Sequence, residues 1–474
     1  GCSARVWSQP GGCSRSAGPI GQAVVMHVVI VGAGEVGWYL AQRLGAEGND
    51  VVVVEQNELI AAAIGAELDV QVVVGNAAVP STLRAAGIEK AGLLAGVTQN
   101  DEVNLLASLL AKEFGVEQTV VRIQTEELRG PLGERLLEKM GADVIIDPDA
   151  DTADEIMELA HVSGADEVYP MSNGELLVLG AVVGESSPFV GHDLAEIGQS
   201  FEPNWKFLFG ALTRDGETVI PRGDQMLEVG DHVRVLTTRA ARREIMELLG
   251  AATRRARRVM VLGGGAVGTR VAERLQSEGA TVVLVENDPK RAKALSERLP
   301  RVTIVQGDIA DTELLLEESV AGMDLVIAAT GDDASNVLAC AYAAAEGQAF
   351  TVAVLHRLAL LPLVRQFGID AALSPRTASA NAVLRHIRGG TASVATFLES
   401  DVEVNEFEIE AGSSADGTLV ADLHLRHSVL LGAVTRPDGT AEIVRGHTLL
   451  NAGDNVVVFS RPDALAVTRK AFSA

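Results

Sequence analysis

Two glycine-rich turns are the residues of this chain whose types and spacing point most directly to chemistry. Gly32, Gly34 and Gly37 stand at the G-x-G-x-x-G spacing, directly after four apolar residues, Val28 to Val31. That spacing opens the first helix of a dinucleotide-binding βαβ unit. Gly32 makes the tight turn, Gly34 lets a pyrophosphate approach bare backbone, and Gly37 lets the helix pack on the strand. Free N–H groups at the helix start, in the run Ala33, Glu35 and Val36, then face the phosphates. Glu55 follows a second apolar run, Val51 to Val54, and lies 18 residues after Gly37. A carboxylate there can accept hydrogen bonds from both ribose hydroxyls and would repel a 2′-phosphate. The same arrangement recurs 231 residues later, with Gly263, Gly264, Gly265, Ala266, Val267 and Gly268, then Glu286 after Val282 to Val285.

Further candidates sit where the later strands of such a unit would end. Gly75-Asn76-Ala77 follows the third strand and corresponds to Gly307-Asp308-Ile309. Thr98 and Gln99 follow the fourth strand, where ligands of open α/β sheets sit, and Thr330 with Gly331 holds the same place in the second copy. Arg122, near the end of the fifth strand, can reach a phosphate. Its counterpart is Val354, so the two sites should not be equivalent. Two plainer readings stay open: strand-end capping for Thr98 and Thr330, and a scaffold without ligand for either turn.

Catalytic signatures are missing. There is no G-x-x-x-x-G-K-[ST] loop, no H-E-x-x-H and no Cys/His cluster at zinc spacing. His424 and His427 are three apart and read as a surface loop pair. A hydride-transferring enzyme needs an acid/base residue near the nicotinamide, and no His, Lys or Tyr constellation offers one. The nucleotide reads as a signal, not a reagent. The rival is an NAD-dependent oxidoreductase with an unrecognised substrate site.

The elements that must position these residues come from a duplication. Residues 32–57 and 263–288 share 13 identities in 26 positions. Strands are expected near 28–31, 51–54, 72–74, 93–97, 119–123 and 143–146, alternating with helices, one of them opening at Asn100-Asp101 and another covering 149–160. Six such strands make a doubly wound, Rossmann-like parallel sheet. Residues 168–238 change character, with short alternating runs between Pro, Gly and Asp-Gly turns, and read as a small α+β module. It recurs too: Gly210-Ala211-Leu212-Thr213-Arg214 echoes Gly432-Ala433-Val434-Thr435-Arg436. The fold class is α/β, two Rossmann-like sheets each followed by a small α+β module. The expected divisions are 26–150, 151–250, 256–390 and 391–474. Each small module is too short to hold a large core, so its apolar face should be buried against neighbouring copies.

The join from Arg239 to Arg258 carries seven arginines. They read as a solvated helix and linker pairing the many carboxylates, or as a docking surface for an acidic partner or a membrane protein's cytoplasmic face. A formal net charge of −25 disfavours nucleic acid and anionic lipid as direct partners. No apolar run approaches the roughly 20 residues of a membrane span, so direct insertion is not expected. Three cysteines, Cys2, Cys13 and Cys340, make no disulfide framework and suit a reducing, cytoplasmic setting. Residues 1–25 are rich in Gly, Ser and Pro and precede Met26. They read as a disordered or non-native extension, with Met26 as the start.

The set formed by the glycine turn after Met26, the G-N/D-A turn, the V-T-x-x-D-x-x-N segment from Val97 to Asn104 and the duplicated small module resembles the TrkA family. These are regulatory subunits of bacterial Trk potassium uptake systems, built of tandem RCK domains. The resemblance spans about residues 26 to 460. It implies binding of NAD(H), and of ATP or ADP, without chemistry. It also implies a homotetrameric ring, peripheral on the cytoplasmic face of a potassium-translocating membrane subunit whose opening the nucleotide controls. Carried over by position, the contacts would be Gly32 to Val36, Glu55, Thr98, Gln99 and Arg122, then Gly263 to Val267 and Glu286. A regulator of another cation channel or antiporter would carry the same features.

Overall fold

The computed structural model describes residues 26–46, 48–125, 128, 131–203, 205–251, 255–387, 394–396, 402–425, 428–461 and 464–473. The expectations for residues 1–25, with Cys2 and Cys13, and for Arg254 and His427 lie outside the described residues.

Valine-rich runs build the first sheet. β1 (His27–Val31), β2 (Asp50–Glu55), β3 (Gln71–Val74), β4 (Leu93–Gly96), β5 (Gln118–Arg122) and β6 (Val144–Ile146) pair in the order β3-β2-β1-β4-β5-β6, all parallel. Val28 to Ile30 are fully buried, as strands covered on both faces by helices must be. The order reverses between β1 and β4, which opens a crevice at the carboxyl ends of those strands. Polar side chains start the flanking helices: Asn100 accepts from Val103 N at 2.9 Å to cap Asp101–Glu113. Asp147 caps Pro148–His161, where Pro148 stands in the first turn and its missing N–H costs nothing.

The first small module is a five-stranded sheet of β7 (Glu167–Met171), β8 (Leu176–Val182), β9 (Phe207–Arg214), β10 (Glu217–Val219) and β11 (His232–Thr238), ordered β10-β9-β11-β8-β7. The second parallel sheet repeats the first: β12 (Arg258–Leu262), β13 (Thr281–Glu286), β14 (Thr303–Gln306), β15 (Leu325–Ala328), β16 (Phe350–Val354) and β17 (Ala371–Leu373), ordered β14-β13-β12-β15-β16-β17. β18 (Val394–Thr396), β19 (Glu403–Glu408), β20 (Val429–Thr435), β21 (Ala441–Ile443) and β22 (Asn455–Ser460) form the second module in the same topology as the first.

The two halves interlock. Pro148–His161 packs on Ala266–Ser277, the helix that follows the second glycine turn, and Pro375–Ile387 packs on Glu35–Ala46, the helix that follows the first. Ala380 and Val383 thereby enter the core of the first sheet, while Ile156 and Met157 share a core with Val271 and Leu275. Arg270 reaches Asp147 at 3.0 Å across the same interface.

Each small sheet buries an apolar face against the other within the chain. Leu176, Val178 and Leu236 of the first form one core with Val404, Val457 and Phe459 of the second. Gly210 sits at a register shift between β9 and β11; a Cβ there would come within 2.1 Å of the Phe459 ring. Ser172 donates through N and Oγ to the buried Glu406 at 3.1 and 2.8 Å, which closes the module interface with a polar clasp. Among the described residues, no helix is long and apolar enough to cross a membrane.

Candidate functional site

The first glycine turn has the geometry of a phosphate cradle. Gly32 has φ +101°, a conformation that L side chains resist. A Cβ at position 37 would lie 1.8 Å from the Gly32 carbonyl oxygen, so the helix approaches the turn only because Gly37 has none. Gly34 is different: a Cβ there would meet nothing within 4 Å. The protein does not need glycine at 34 for its own packing; the space in front of it is open. The helix begins at Glu35, and the N–H groups of its first turn have no intrahelical acceptors.

Glu55 stands at the end of β2 and joins the turn to its sheet. Its carboxylate accepts from Ala33 N and from Asn57 N, both at 2.8 Å. Backbone thus uses one lone pair on each oxygen, and the remaining lone pairs are left for a ligand. At the ends of β4 and β5 the buried Asn104 organises the crevice. Thr98 N and Oγ1 donate to its Oδ1 at 3.0 and 2.7 Å, and its Nδ2 donates to the carbonyls of Thr98 and Arg122. Asp101, one turn earlier, accepts from Gln124 N and from Thr125 N and Oγ1. The T-x-x-D-x-x-N segment is a brace that holds two strand ends.

These elements enclose a cleft of about 790 Å³, within the size of small-molecule sites. It collects Gly32, Gly34, Val36, Glu55, Asn76, Thr98, Gln99 and Arg122. Ala33 and Gly37 lie behind it as buried parts of the turn. The Arg122 Nε is buried without a hydrogen-bond partner. Burial lowers the pKa of its guanidinium, against the opposing pull of Asp149, Asp101 and Asp147. Sequence reasoning missed other parts of the wall, among them Gln124 and the acid Asp149 from the first half, and His356, Pro375 and Arg376 from the second. His356 follows β16, and Arg376 lies in the first turn of the Pro375–Ile387 helix. Nothing in the local sequence tells that residues more than 250 positions away from Glu55 line its cleft.

The second turn is built alike but lies closer to its own helices. Gly263 has φ +108°, and a Cβ at Gly268 would lie 2.0 Å from the Gly263 carbonyl oxygen. Glu286 accepts from Gly264 N at 2.9 Å and from Asp288 N at 2.8 Å. It is only 2% exposed and has Arg291 at 3.5 Å. A Cβ at Gly264 would strike Leu295 at 2.5 Å. Gly265 is half-buried, Ala266 exposed, and Val267 buried. Thr330 and Asn336 repeat the strand-end brace, and Asp308 caps its turn through Ala310 N. Val354 is buried, and its carbonyl accepts from Asn336, so no cation takes the place of Arg122 at this position.

Away from both turns, Asp166, Glu167 and His232 converge in the first module. Arg234 grips Glu167 with two hydrogen bonds at 2.8 and 2.9 Å, and Arg365 donates to Asp166 at 2.9 Å. Burial would raise the Asp166 carboxyl, but His232, Arg365 and Arg234 hold it below its ordinary value. Two guanidinium groups already neutralise the acids, and a metal cation has no charge to gain there. The His424 ring bonds the Asp422 carbonyl at 2.6 Å.

Comparison with known proteins agrees with this architecture. The TrkA-N domain model matches residues 28–148 and 259–375, and the TrkA-C domain model matches 178–250 and 404–473. The Trk system potassium uptake protein TrkA of Azorhizobium caulinodans is 31% identical over 94% of this chain and 98% of its own. A TrkA homolog of Archaeoglobus fulgidus is 32% identical over 94% of this chain and 100% of its own. Among solved structures, the GsuK channel bound to NAD superposes with a TM-score of 0.58 at 17% identity, over 96% of this chain and 80% of the channel. The GsuK RCK domain gives 0.57 at 17% identity, over 96% of both chains. These structures share the fold.

Proposed function

The chain belongs to the TrkA family of potassium uptake proteins, with TrkA-N and TrkA-C domains each present twice, and from that premise we propose that it is the nucleotide-sensing regulatory subunit of a Trk-type system. It binds NAD(H), with ATP or ADP as further ligands, and does not transform them. It works on the cytoplasmic face of a potassium-translocating membrane subunit, as a homotetrameric ring.

The observation that carries this reading is the composition of the first cleft. Gly34 leaves room for a pyrophosphate, Glu55 offers free lone pairs to a ribose, and Arg122 supplies an unpartnered buried N–H. The opposite wall is His356 and Arg376. The helix that bears Arg376 also sends Ala380 and Val383 into the first core. A nucleotide held between these walls therefore acts on the spacing of the two halves.

Such a ligand shifts an equilibrium only by its differential affinity for two arrangements. A tenfold preference supplies about 1.4 kcal/mol per site, and several sites in one ring add. The second cleft, with Glu286 covered, contributes less. The test is purification from native membranes. Recovery with a potassium-translocating integral membrane protein, in amounts that differ between NADH and ATP, is the expected result. A chain that binds neither nucleotide and comes away alone refutes the reading.

A further inference from the structure

None of the described arginines of the join lines the first nucleotide cleft. Five of them, Arg242, Arg243, Arg255, Arg257 and Arg258, line one concavity of about 1160 Å³ where the first small module meets the second parallel sheet. We propose that this cleft is a binding site for a compact polyphosphate anion.

The charge balance is the first argument. The chain has a formal net charge of −25, so a concentration of guanidinium groups in one hollow runs against its general potential. The acids at the cleft are already engaged, including Glu278, which lines it together with His161. Glu278 pairs with His161 at 2.8 Å. Asp324 accepts from the backbone N–H groups of Arg257 and Arg258 at 3.0 and 2.9 Å. Arg243 pairs with Glu247 on its own helix, with both side chains largely exposed, and such a pair contributes little. Arg242 donates to the Arg239 carbonyl. Among the described residues, no side-chain ion pair joins Arg255, Arg257 or Arg258 to a carboxylate. The cluster thus carries excess positive charge, not a balanced network.

Shape and position are the second argument. The arginines come from separate elements, the Arg242–Leu248 helix and the segment entering β12, and they converge on one volume. Planar guanidinium forks match phosphate oxygens in pairs. The cleft lies at the amino ends of β12 and β13, opposite the carboxyl ends that hold the glycine turns, so it is independent of the nucleotide reading. A concave wall suits a compact ligand, and the acidic remainder of the chain opposes a flat anionic bilayer.

The experiment is calorimetric titration of the full chain with inorganic tripolyphosphate, which lacks the adenine and ribose that the glycine clefts would read. Saturable binding of one tripolyphosphate per chain, weakened by salt, is expected. The triple variant Arg255→Gln, Arg257→Gln, Arg258→Gln should lose at least about tenfold in affinity while NADH binding stays unchanged, which shows that it folds. Arg122→Gln should leave tripolyphosphate binding intact. Equal binding by wild type and the triple variant, no binding by wild type, or loss in Arg122→Gln alone would each overturn the proposal. Two further arms separate the sources of negative charge. Arginine-dependent sedimentation with phosphatidylglycerol vesicles, without tripolyphosphate binding, would replace the free anion by a lipid surface. Displacement of tripolyphosphate by polyglutamate at equal charge concentration would replace it by an acidic protein segment.

Discussion

Gly34 separates ligand binding from folding more cleanly than any other position in the first cleft. Its Cβ would meet no atom within 4 Å. Gly34→Val should therefore leave the fold intact, and a Gly replaced in a compatible conformation gains about 0.4–1 kcal/mol through the unfolded state, offset in part by the stiffness of valine. In the occupied cleft the same side chain stands where a pyrophosphate meets the backbone. Losing two charge-assisted hydrogen bonds of about 1.5–3 kcal/mol each lowers affinity by at least about two orders of magnitude. Thermal shift reads both effects together. At 100 times its Kd, NADH stabilises the wild type by about 2.7 kcal/mol, an upward move of about 3 °C at roughly 1 °C per kcal/mol for a cooperative unit of this length. The variant should melt within a degree or two of the unliganded wild type, with no response to NADH. An undiminished NADH shift in Gly34→Val would refute the assignment of the phosphate cradle. The matched control is Gly37→Ala: its Cβ would lie 1.8 Å from the Gly32 carbonyl oxygen, so it should lower the melting point with no ligand present.

Other consequences concern the second half, the module clasp and the buried thiol of Cys340. Arg376→Ala should weaken ATP by about tenfold or more, as loss of one charge-assisted contact implies, and NADH less; equal losses in parallel titrations would exclude Arg376 as a contact to the γ-phosphate that only ATP carries. Burial raises the Glu406 carboxyl above its ordinary value, against the hydrogen bonds from Ser172. The folded state then holds that proton more tightly than the unfolded chain. Its contribution to stability is complete below the ordinary glutamate range and is lost as pH rises through the raised value. Urea midpoints of wild type and Glu406→Gln should therefore diverge over that window, and parallel curves would contradict it. Cys340 is 0% exposed, and burial pushes its thiol up to about 12. Mass spectrometry after iodoacetamide at pH 8 should find Cys340 unmodified in the native protein and modified in urea.

Much of the candidate site is legible in the sequence. The G-x-G-x-x-G spacing announces a turn because only glycine tolerates φ +101° at Gly32 and a 1.8 Å approach at Gly37. Glu55 was visible because a strand period followed by an acid is a local pattern. The segment from Thr98 to Asn104 was also conspicuous, but its brace was not. Asn104 ties Thr98 to the carbonyl of Arg122, 18 residues further on, a partner that only the finished sheet brings near.

The sequence by itself determined the elements, their duplication and the four-part order, because strand periodicity, glycine geometry and capping act over a few neighbouring residues. Only the tertiary structure decided which surfaces meet. It exchanged the Pro148–His161 and Pro375–Ile387 helices between halves, placed His356 and Arg376 across from Glu55, and closed the small modules on each other through Phe459. The physical reason is that apolar faces are non-specific at the level of pattern. A helix face shows that it must be buried, and the complementary shape that buries it exists only once the chain has folded.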